Sequence, residues 1–397
     1  MPPAYLDALL ALKALPRPPG YALDNVARAS RLLLTHQPAA IHVVGTNGKG
    51  SVAFKLEQGL RALGKRVGTY TSPHVWSIRE RIRLNAAMVS EEDFVKAASR
   101  ILATQVPLSC FEAVTLMALL HFEQHDAQWA VVEAGMGGRD DATNILACPR
   151  VVVITSIGMD HVAALGPTLL DIARHKAGAI KAGAHVVLGP CDAGVQAVVE
   201  ATAAKADAAS VTVVAPAPSL DELNERVALE ALAKAGLQPV GQRLSALPRF
   251  RMEELVYATG KRLVMDVGHN PAALTAVVGE LRRRGLDPRR GCLVFAIAQD
   301  KDVAGALAVI APLGWQRLYL CGLPNANRKA ASPGVMVETC AEMGVHNATA
   351  VAHPRTARDA ALAQPACEFV LAVGSHSLMR FVADAPAEVD PVDMNEG

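Results

Sequence analysis

The sequence predicts an α/β protein built on mainly parallel sheets, and three observations predict it. Short β-branched runs alternate with longer helical stretches along most of the 397 residues, the pattern of strand–helix–strand units. Hydrophobic residues make up 51% of the chain but aromatics only 4%, so Ala, Val and Leu must fill the interior, which suits helices packed on buried strands. The alternating series also occurs twice. Pro239 and the stretch from Leu244 to Phe250 carry no period, and a domain boundary placed there divides the chain into 1–246 and a smaller 247–397.

In the first series Ile41 to Val44 is a short apolar strand and Ser51 to Leu63 a helix. Further strands are expected at Val67 to Tyr70, Trp129 to Glu133, Val151 to Thr155, His185 to Leu188 and Ser210 to Val214. Helical windows between them fall at Glu91 to Leu102, Glu112 to Gln124, Thr168 to Lys181 and Ala193 to Lys205. In the second series Arg262 to Asp266, Cys292 to Ile297, Arg317 to Cys321 and Glu368 to Val373 read as strands. Helices are expected at Pro271 to Arg284, Val303 to Ala311, Gly334 to Met343 and Thr356 to Leu362. The tail from Pro386 to Gly397 is polar and acidic and is expected to fray.

Lys plus Arg number 39 and Asp plus Glu 38, a net charge of +1 that argues against a general nucleic-acid or membrane-surface binder. The cluster Arg282, Arg283, Arg284, Arg289 and Arg290 fits helix-end cations complementing the macrodipole. Seven cysteines, scattered and without a CxxC pair, read as small buried residues in a reducing compartment, not as a disulfide framework or zinc site. No apolar run reaches the ~18–20 residues of a membrane helix. The N-terminus lacks a basic start and a cleavable apolar core. A cytoplasmic monomer is the expectation.

The strongest local signal is His42-Val43-Val44-Gly45-Thr46-Asn47-Gly48-Lys49-Gly50-Ser51, a strand running through a glycine-rich turn into a helix. Three glycines let backbone N–H groups converge on a polyphosphate, and the helix turns its positive end to the same anion. Lys49 would then reach the β- and γ-phosphates and Ser51 would bind Mg2+. Gly50 stands between the lysine and the serine, unlike the common GxxxxGK[ST] spacing. The competing reading is a glycine turn with an incidental lysine; the strand before and helix after weigh against it.

Polar groups also follow other strands. Ser72 lies in a Ser-Pro turn after Val67 to Tyr70. Glu133 closes Trp129 to Glu133, where a carboxylate is well placed to hold Mg2+. Beyond it a glycine cluster leads to Asp141 and Asn144, and Asp140 reads equally well as a solvated loop acid. His161 comes just after Val151 to Thr155. A lone histidine is more often structural than a ligand; here it is the third polar group in turn at a strand end.

Together GTNGKGS (45–51), TSPH (71–74), VVEAGMGGRDDATN (131–144), SIGMDH (156–161) and IARHKAG (172–178) resemble the Mur ligase superfamily, and within it the dihydrofolate synthase/folylpolyglutamate synthase family. DVGHNP (266–271), DKD (300–302) and Gly374-Ser375 extend the resemblance over most of the chain. It implies an N-terminal P-loop ATPase domain with a mainly parallel sheet and a smaller C-terminal Rossmann-like domain. It implies ATP and Mg2+ as cofactors, and as partners only small molecules: a pterin-type acid (dihydropteroate or tetrahydrofolate) and L-glutamate. The reaction implied is ATP-dependent amide formation through an acyl phosphate, with domain closure bringing Asp266 and His269 to the phosphate loop.

Carried over position by position, the resemblance gives the nucleotide to Gly45, Thr46, Asn47, Gly48, Lys49, Gly50, Ser51, Asn224, Arg251 and Asp266. It gives Mg2+ to Ser51, Ser72, Glu133 and His161, and catalysis to Lys49, His161, Lys176 and His269. Phe111, Asp141 and Asn144 would border the pterin-bearing substrate, and His269 and Ser375 the glutamate. Lys176 matches a family lysine that becomes carbamylated; a solvated helix lysine is the alternative. The family's Pro-Gly-Arg is replaced by Leu247-Pro248-Arg249-Phe250-Arg251, so Arg251 or Arg249 serves the phosphates. Asp-Gly-Ala-His-Asn reads Asp-Val-Gly-His-Asn, and the stretch from Leu188 to Asn224 is short for the extra sheet many members carry. Two other readings stay open: a ligase for another aromatic or heterocyclic acid, and a nucleotide-binding module without catalysis.

Overall fold

The computed structural model describes residues 3–16, 23–238, 241, 243–324, 329–384 and 389–390. Pro239 and most of the acidic tail therefore lie outside the described residues. Two compact units emerge, Met1–Leu247 and Pro248–Asn395.

The first unit runs α1 (Pro3–Lys13), α2 (Asp24–Leu33), β1 (Ala39–Val44), α3 (Lys49–Ala62), β2 (Val67–Tyr70), β3 (Ile82–Leu84), β4 (Ala87–Met88), α4 (Glu91–Ala103) and α5 (Cys110–Gln124). It continues with β5 (Trp129–Glu133), β6 (Pro149–Ile154), α6 (Val162–Leu165), α7 (Leu169–Ala177), β7 (His185–Leu188), α8 (Ala193–Lys205), β8 (Ser210–Val213) and α9 (Leu220–Lys234). The eight strands lie in the order β4-β3-β2-β5-β1-β6-β7-β8. From β2 to β8 every neighbouring pair is parallel; β3 and β4 are antiparallel additions at one edge.

Side chains of the central strands alternate between two cores, as a period of two requires. Ile41, Val43, Val151 and Val153 pack with Val52, Leu56 and Leu60 of α3 and with Val227, Ala231 and Leu232 of α9. Val44, Val152 and Ile154 face the other way, toward Ala177 and Val199. Burial on both faces explains why these strands read as continuous apolar runs.

Helix ends differ from expectation for local reasons. At α5 the Ser109 Oγ accepts from the Glu112 N–H at 3.3 Å, while Glu112 Oε2 accepts from the Ser109 N–H at 2.7 Å. That capping box starts the helix at Cys110, two residues before the expected Glu112. Helix α7 stops at Ala177, short of Lys181, because the chain at Gly178 turns beneath Arg139: a Cβ there would lie 2.4 Å from the Arg139 Cβ. The stretch from Leu188 to Asn224 holds α8, β8 and the start of α9, and β8 extends the main sheet.

The second unit contains β9 (Glu253–Val256), β10 (Arg262–Asp266), α10 (Pro271–Arg283), β11 (Gly291–Phe295), α11 (Val303–Ile310) and β12 (Arg317–Cys321). After these come α12 (Pro333–Glu342), β13 (Ala348–Val351), α13 (Pro354–Ala363), β14 (Phe369–Val373) and α14 (His376–Val382). Its six strands are ordered β13-β12-β11-β14-β10-β9, parallel except for the edge strand β9. Leu293, Phe295, Leu318, Leu371 and Trp315 fill its core. Arg282 and Arg283 lie in the last turn of α10; Arg283 and Arg284 pair with Glu280, Arg289 with Asp287 and Arg290 with Glu368. All seven cysteines are free. Among the described residues no helix is long and apolar enough to cross a membrane.

Candidate active site

Four adjacent parallel strands, β2, β5, β1 and β6, bring the first unit's candidate residues to one sheet edge. Register places Val43 beside Glu133, Val44 beside Ile154 and Tyr70 beside Val132, so the chain segments that follow emerge side by side. Ligands in open α/β sheets collect at such carboxyl ends.

The glycine-rich turn leaves β1 at Gly45, whose φ is +147°, and enters α3 at Gly48, whose φ is +89°. A Cβ on Gly45 would fall 2.0 Å from Thr155 Oγ1, and one on Gly48 would fall 2.6 Å from Asn224 Oδ1. Both positions therefore demand glycine. The turn is latched from β6: Thr155 Oγ1 and Ser156 Oγ donate to the Asn47 carbonyl at 2.7 and 3.0 Å, and Ser156 Oγ accepts from the Asn47 N–H at 2.9 Å. Thr46 adds a reciprocal pair with Gly158, both at 3.1 Å. The α3 N-terminus carries no side-chain cap, and Gly50 and Ser51 lie buried in its first turn. A rigid loop leading into an uncapped helix start is a cradle for phosphate.

Two lysines meet this loop. Lys49 Nζ donates to the Gly45 and Thr46 carbonyls at 3.2 and 3.3 Å. Lys176 Nζ, from α7, donates to the same Gly45 carbonyl at 2.8 Å and is 3% exposed. Burial first, and then the neighbouring Lys49, hold the Lys176 ammonium down at about 7, against the partial relief of Asp160 and Asp141. Lys176 is thus no solvated helix lysine.

Glu133 is buried at the end of β5 and its Oε2 accepts from the Ser72 N–H at 3.1 Å. His161 follows β6 with a positive φ of 52°, its Nε2 3.9 Å from Asp160 Oδ2. Asn224 is buried on α9 against Gly48. The Glu133 carboxylate and the Ser51 and Ser72 hydroxyls are oxygen donors of the type Mg2+ prefers, and the His161 imidazole offers nitrogen.

Asp141 has a structural task. Its Oδ2 accepts from the Met136 N–H at 2.8 Å and its Oδ1 from the Thr143 N–H and hydroxyl at 3.0 and 2.5 Å. Burial raises its pKa, opposed by these hydrogen bonds. Thr143 in turn meets buried His42 Nε2 at 2.8 Å, and burial drives that imidazole down to about 3, so it is neutral. Asn144 Nδ2 donates to the Arg139 and Gly178 carbonyls at 2.7 and 3.3 Å, tying the loop to the end of α7. The Phe111 ring covers Gly135 and stands 6.1 Å from that of Tyr70, an apolar wall beside this loop.

In the second unit β10 and β14 are parallel neighbours with Asp266 opposite Val373, so Asp266 to His269 and Gly374 to His376 leave the sheet together. Asp266 Oδ1 accepts from the Gly268 N–H at 2.7 Å and Oδ2 from the Met252 N–H at 3.0 Å. Burial raises its pKa, with Arg251 the chief opposing influence. Arg249 Nε is committed to Glu253 at 2.7 Å, whereas Arg251 Nε is buried without a partner. His269 Nδ1 lies 3.0 Å from the Val267 carbonyl, to which a protonated Nδ1 donates. Its ring stands 6.1 Å from His376. Ser375 caps α14 through the Ser377 N–H at 3.1 Å.

Sequence reasoning missed the latch residues Thr155 and Ser156, although both follow β6 directly, and the His42–Thr143 support beneath Asp141. It also missed Arg81, fully buried, whose Nε donates to His74 Nδ1 at 2.9 Å while one terminal nitrogen has no partner. Nothing in an Arg-Glu-Arg run marks that both Arg79 and Arg81 are buried.

Residues 43–184 match the Mur ligase middle domain and residues 250–376 the Mur ligase glutamate ligase domain. A dihydrofolate synthase/folylpolyglutamate synthase of Escherichia coli (strain K12) is 32% identical over 311 residues, 70% of this chain and 72% of its own length. The structure of E. coli FolC in complex with DHPP and ADP aligns with a TM-score of 0.85 at 28% identity, covering 96% of this chain and 98% of that one. A bifunctional folylpolyglutamate synthase/dihydrofolate synthase with Mn, AMPPNP and L-glutamate bound aligns with a TM-score of 0.82 at 28% identity, over 95% of this chain and 96% of that one.

Proposed function

This chain belongs to the dihydrofolate synthase/folylpolyglutamate synthase family, and from that premise we propose which residues carry its ATP-dependent addition of glutamate to folate substrates. The observation that carries the assignment is the latched Gly45–Ser51 loop, with Lys49 and Lys176 converging on the Gly45 carbonyl. The first unit binds ATP and the pterin-type acid, and the second binds L-glutamate.

Lys49 and the first turn of α3 hold the β- and γ-phosphates, with Asn224 near the adenine. The donor set of Ser51, Ser72, Glu133 and His161 suits a divalent cation, which when bound neutralises charge on the phosphoryl oxygens. The acceptor's carboxylate oxygen attacks the γ-phosphorus and ADP leaves. The amine of glutamate then attacks the acyl carbon, phosphate departs and the ammonium proton must be taken up. His269, held at its Nδ1 by the Val267 carbonyl, is the residue assigned to that proton. Asp266 and Arg251 bind nucleotide in the second unit; Arg249 is spent on Glu253. Phe111 and Tyr70 form the apolar wall for the pterin ring, and Ser375 contacts glutamate.

Lys176 has the chemistry for carbamylation. A lysine held near 7 is substantially neutral at physiological pH, and its amine lone pair can add to CO2, giving a carbamate and releasing one proton. The product is an anion where a neutral amine stood.

The purified chain supplied with ATP, Mg2+, L-glutamate and either dihydropteroate or tetrahydrofolate should release ADP only when an acceptor is present. Lys49→Ala should lower kcat/KM by roughly 100- to 1,000-fold, as loss of one oriented charge donor does. Absence of ADP release above background with both acceptors would overturn the assignment.

A further inference from the structure

Away from the phosphate loop, α4 and α5 pack against each other and bring three ligand-type side chains together. Asp93 lies in the first turn of α4. His121 lies in the last turn of α5 and His125 caps it, four residues on and so on the same helix face. One ligand atom from each lies within 4.8 Å of the others, the only such trio of His, Cys, Asp or Glu among the described residues. The two imidazole rings stand 4.4 Å apart by their centroids. His125 Nε2 is 3.6 Å from Asp93 Oδ2, too far for a hydrogen bond.

The trio has no sufficient structural purpose. His121 is buried and its Nδ1 has no hydrogen-bond partner, an unfavourable state for a ring nitrogen. Asp93 accepts from the Ser90 hydroxyl at 3.0 Å and lies 3.9 Å from Lys96 Nζ, and Lys96 is itself held closer by Glu92 at 2.6 Å. A carboxylate with one such hydrogen bond keeps lone pairs for a Lewis acid. None of the three residues takes part in the ligase chemistry.

We propose that Asp93, His121 and His125 form a binding site for a divalent transition-metal cation such as Zn2+, distinct from the Mg2+ ligands at the phosphate loop. Two histidines four apart on a helix present both rings to one ion, and a carboxylate completes a three-ligand set with an open fourth position. Imidazole nitrogen favours Zn2+, Ni2+ or Cu2+ over the oxygen-seeking Mg2+ and Ca2+. The bound ion bridges α4 to α5 and stabilises the folded chain.

The test uses the full chain, stripped of metal and saturated with Mg2+ and a non-hydrolysable ATP analogue so that the phosphate-loop site is filled, then dialysed against micromolar Zn2+. Wild type should retain one more zinc per chain than His125→Gln or Asp93→Asn, and Zn2+ should raise its Tm but not theirs. Both variants sit at a half-exposed position, and each should keep the wild-type circular dichroism spectrum and Mg2+-supported turnover. Zinc-edge anomalous scattering from crystals should place the ion among the three side chains. Equal zinc content in wild type and both variants, or no zinc retained by wild type, would overturn the proposal.

Discussion

Lys176 shows how one residue ties stability to function. Its ammonium is held down at about 7, against 10.5 for an ordinary lysine, chiefly because it is buried. That difference corresponds to about 5 kcal/mol opposing the folded state wherever the buried group is charged. The sign follows from linkage. Below pH 7 both folded and unfolded chains carry the proton and the penalty is complete; between 7 and 10.5 the unfolded chain binds more protons, so the penalty fades as pH rises. Lys176→Met in CO2-free buffer should therefore raise Tm by at least about 5 °C at pH 6. The gain should shrink toward pH 10, and the variant should lose turnover. A gain independent of pH would show that packing, not charge, is at issue. The resemblance pointed to this lysine from its neighbours in IARHKAG, but its burial beneath the phosphate loop comes from the way α7 crosses that loop.

At the scale of elements, agreement between sequence and structure follows burial. The strands Val67–Tyr70, Trp129–Glu133 and His185–Leu188 and the helix Ala193–Lys205 end where the sequence reading ends them, because apolar runs bounded by turn residues mark elements packed into the core. The edge strands β4, β9 and β13 and the three-residue β3 went unread. All are too short or too exposed to form an apolar run, and pairing with a neighbour is what makes them strands. Helix α9 was more legible than the reading credited: Ser219 caps it and Asp221 and Glu222 occupy its first turn. Caps also allow a quantitative check. Ser109→Ala removes one half of the α5 capping box and should cost about 1 kcal/mol, seen as a lowered urea midpoint with an unchanged m-value. No change in midpoint would mean that tertiary packing alone sets where α5 begins.

For the molecule as a whole, a net charge of +1 provides no general basic field for anionic substrates, so the proposed reaction relies on a few placed cations and a divalent ion. Ligase turnover should accordingly fall to background with a chelator and return with Mg2+ or Mn2+; turnover that persists in the chelator would remove the metal from the reaction. The sequence by itself determined the two-part α/β plan, the order of the buried strands along the chain, and the glycine-rich loop, because each is written in local periodicity and in glycines at fixed offsets. Only the tertiary structure decided which chain segments lie side by side. Strand order β2-β5-β1-β6 joins Ser72, Glu133, Gly45 and Thr155, segments far apart in sequence. Packing of the 135–144 loop on α7 decided that Asp141 spends its carboxylate on the loop's own donors. Local sequence encodes what a residue can do. Its partners are set by parallel strand pairing across long crossovers, which minimises exposed apolar surface over the whole sheet and leaves no local trace.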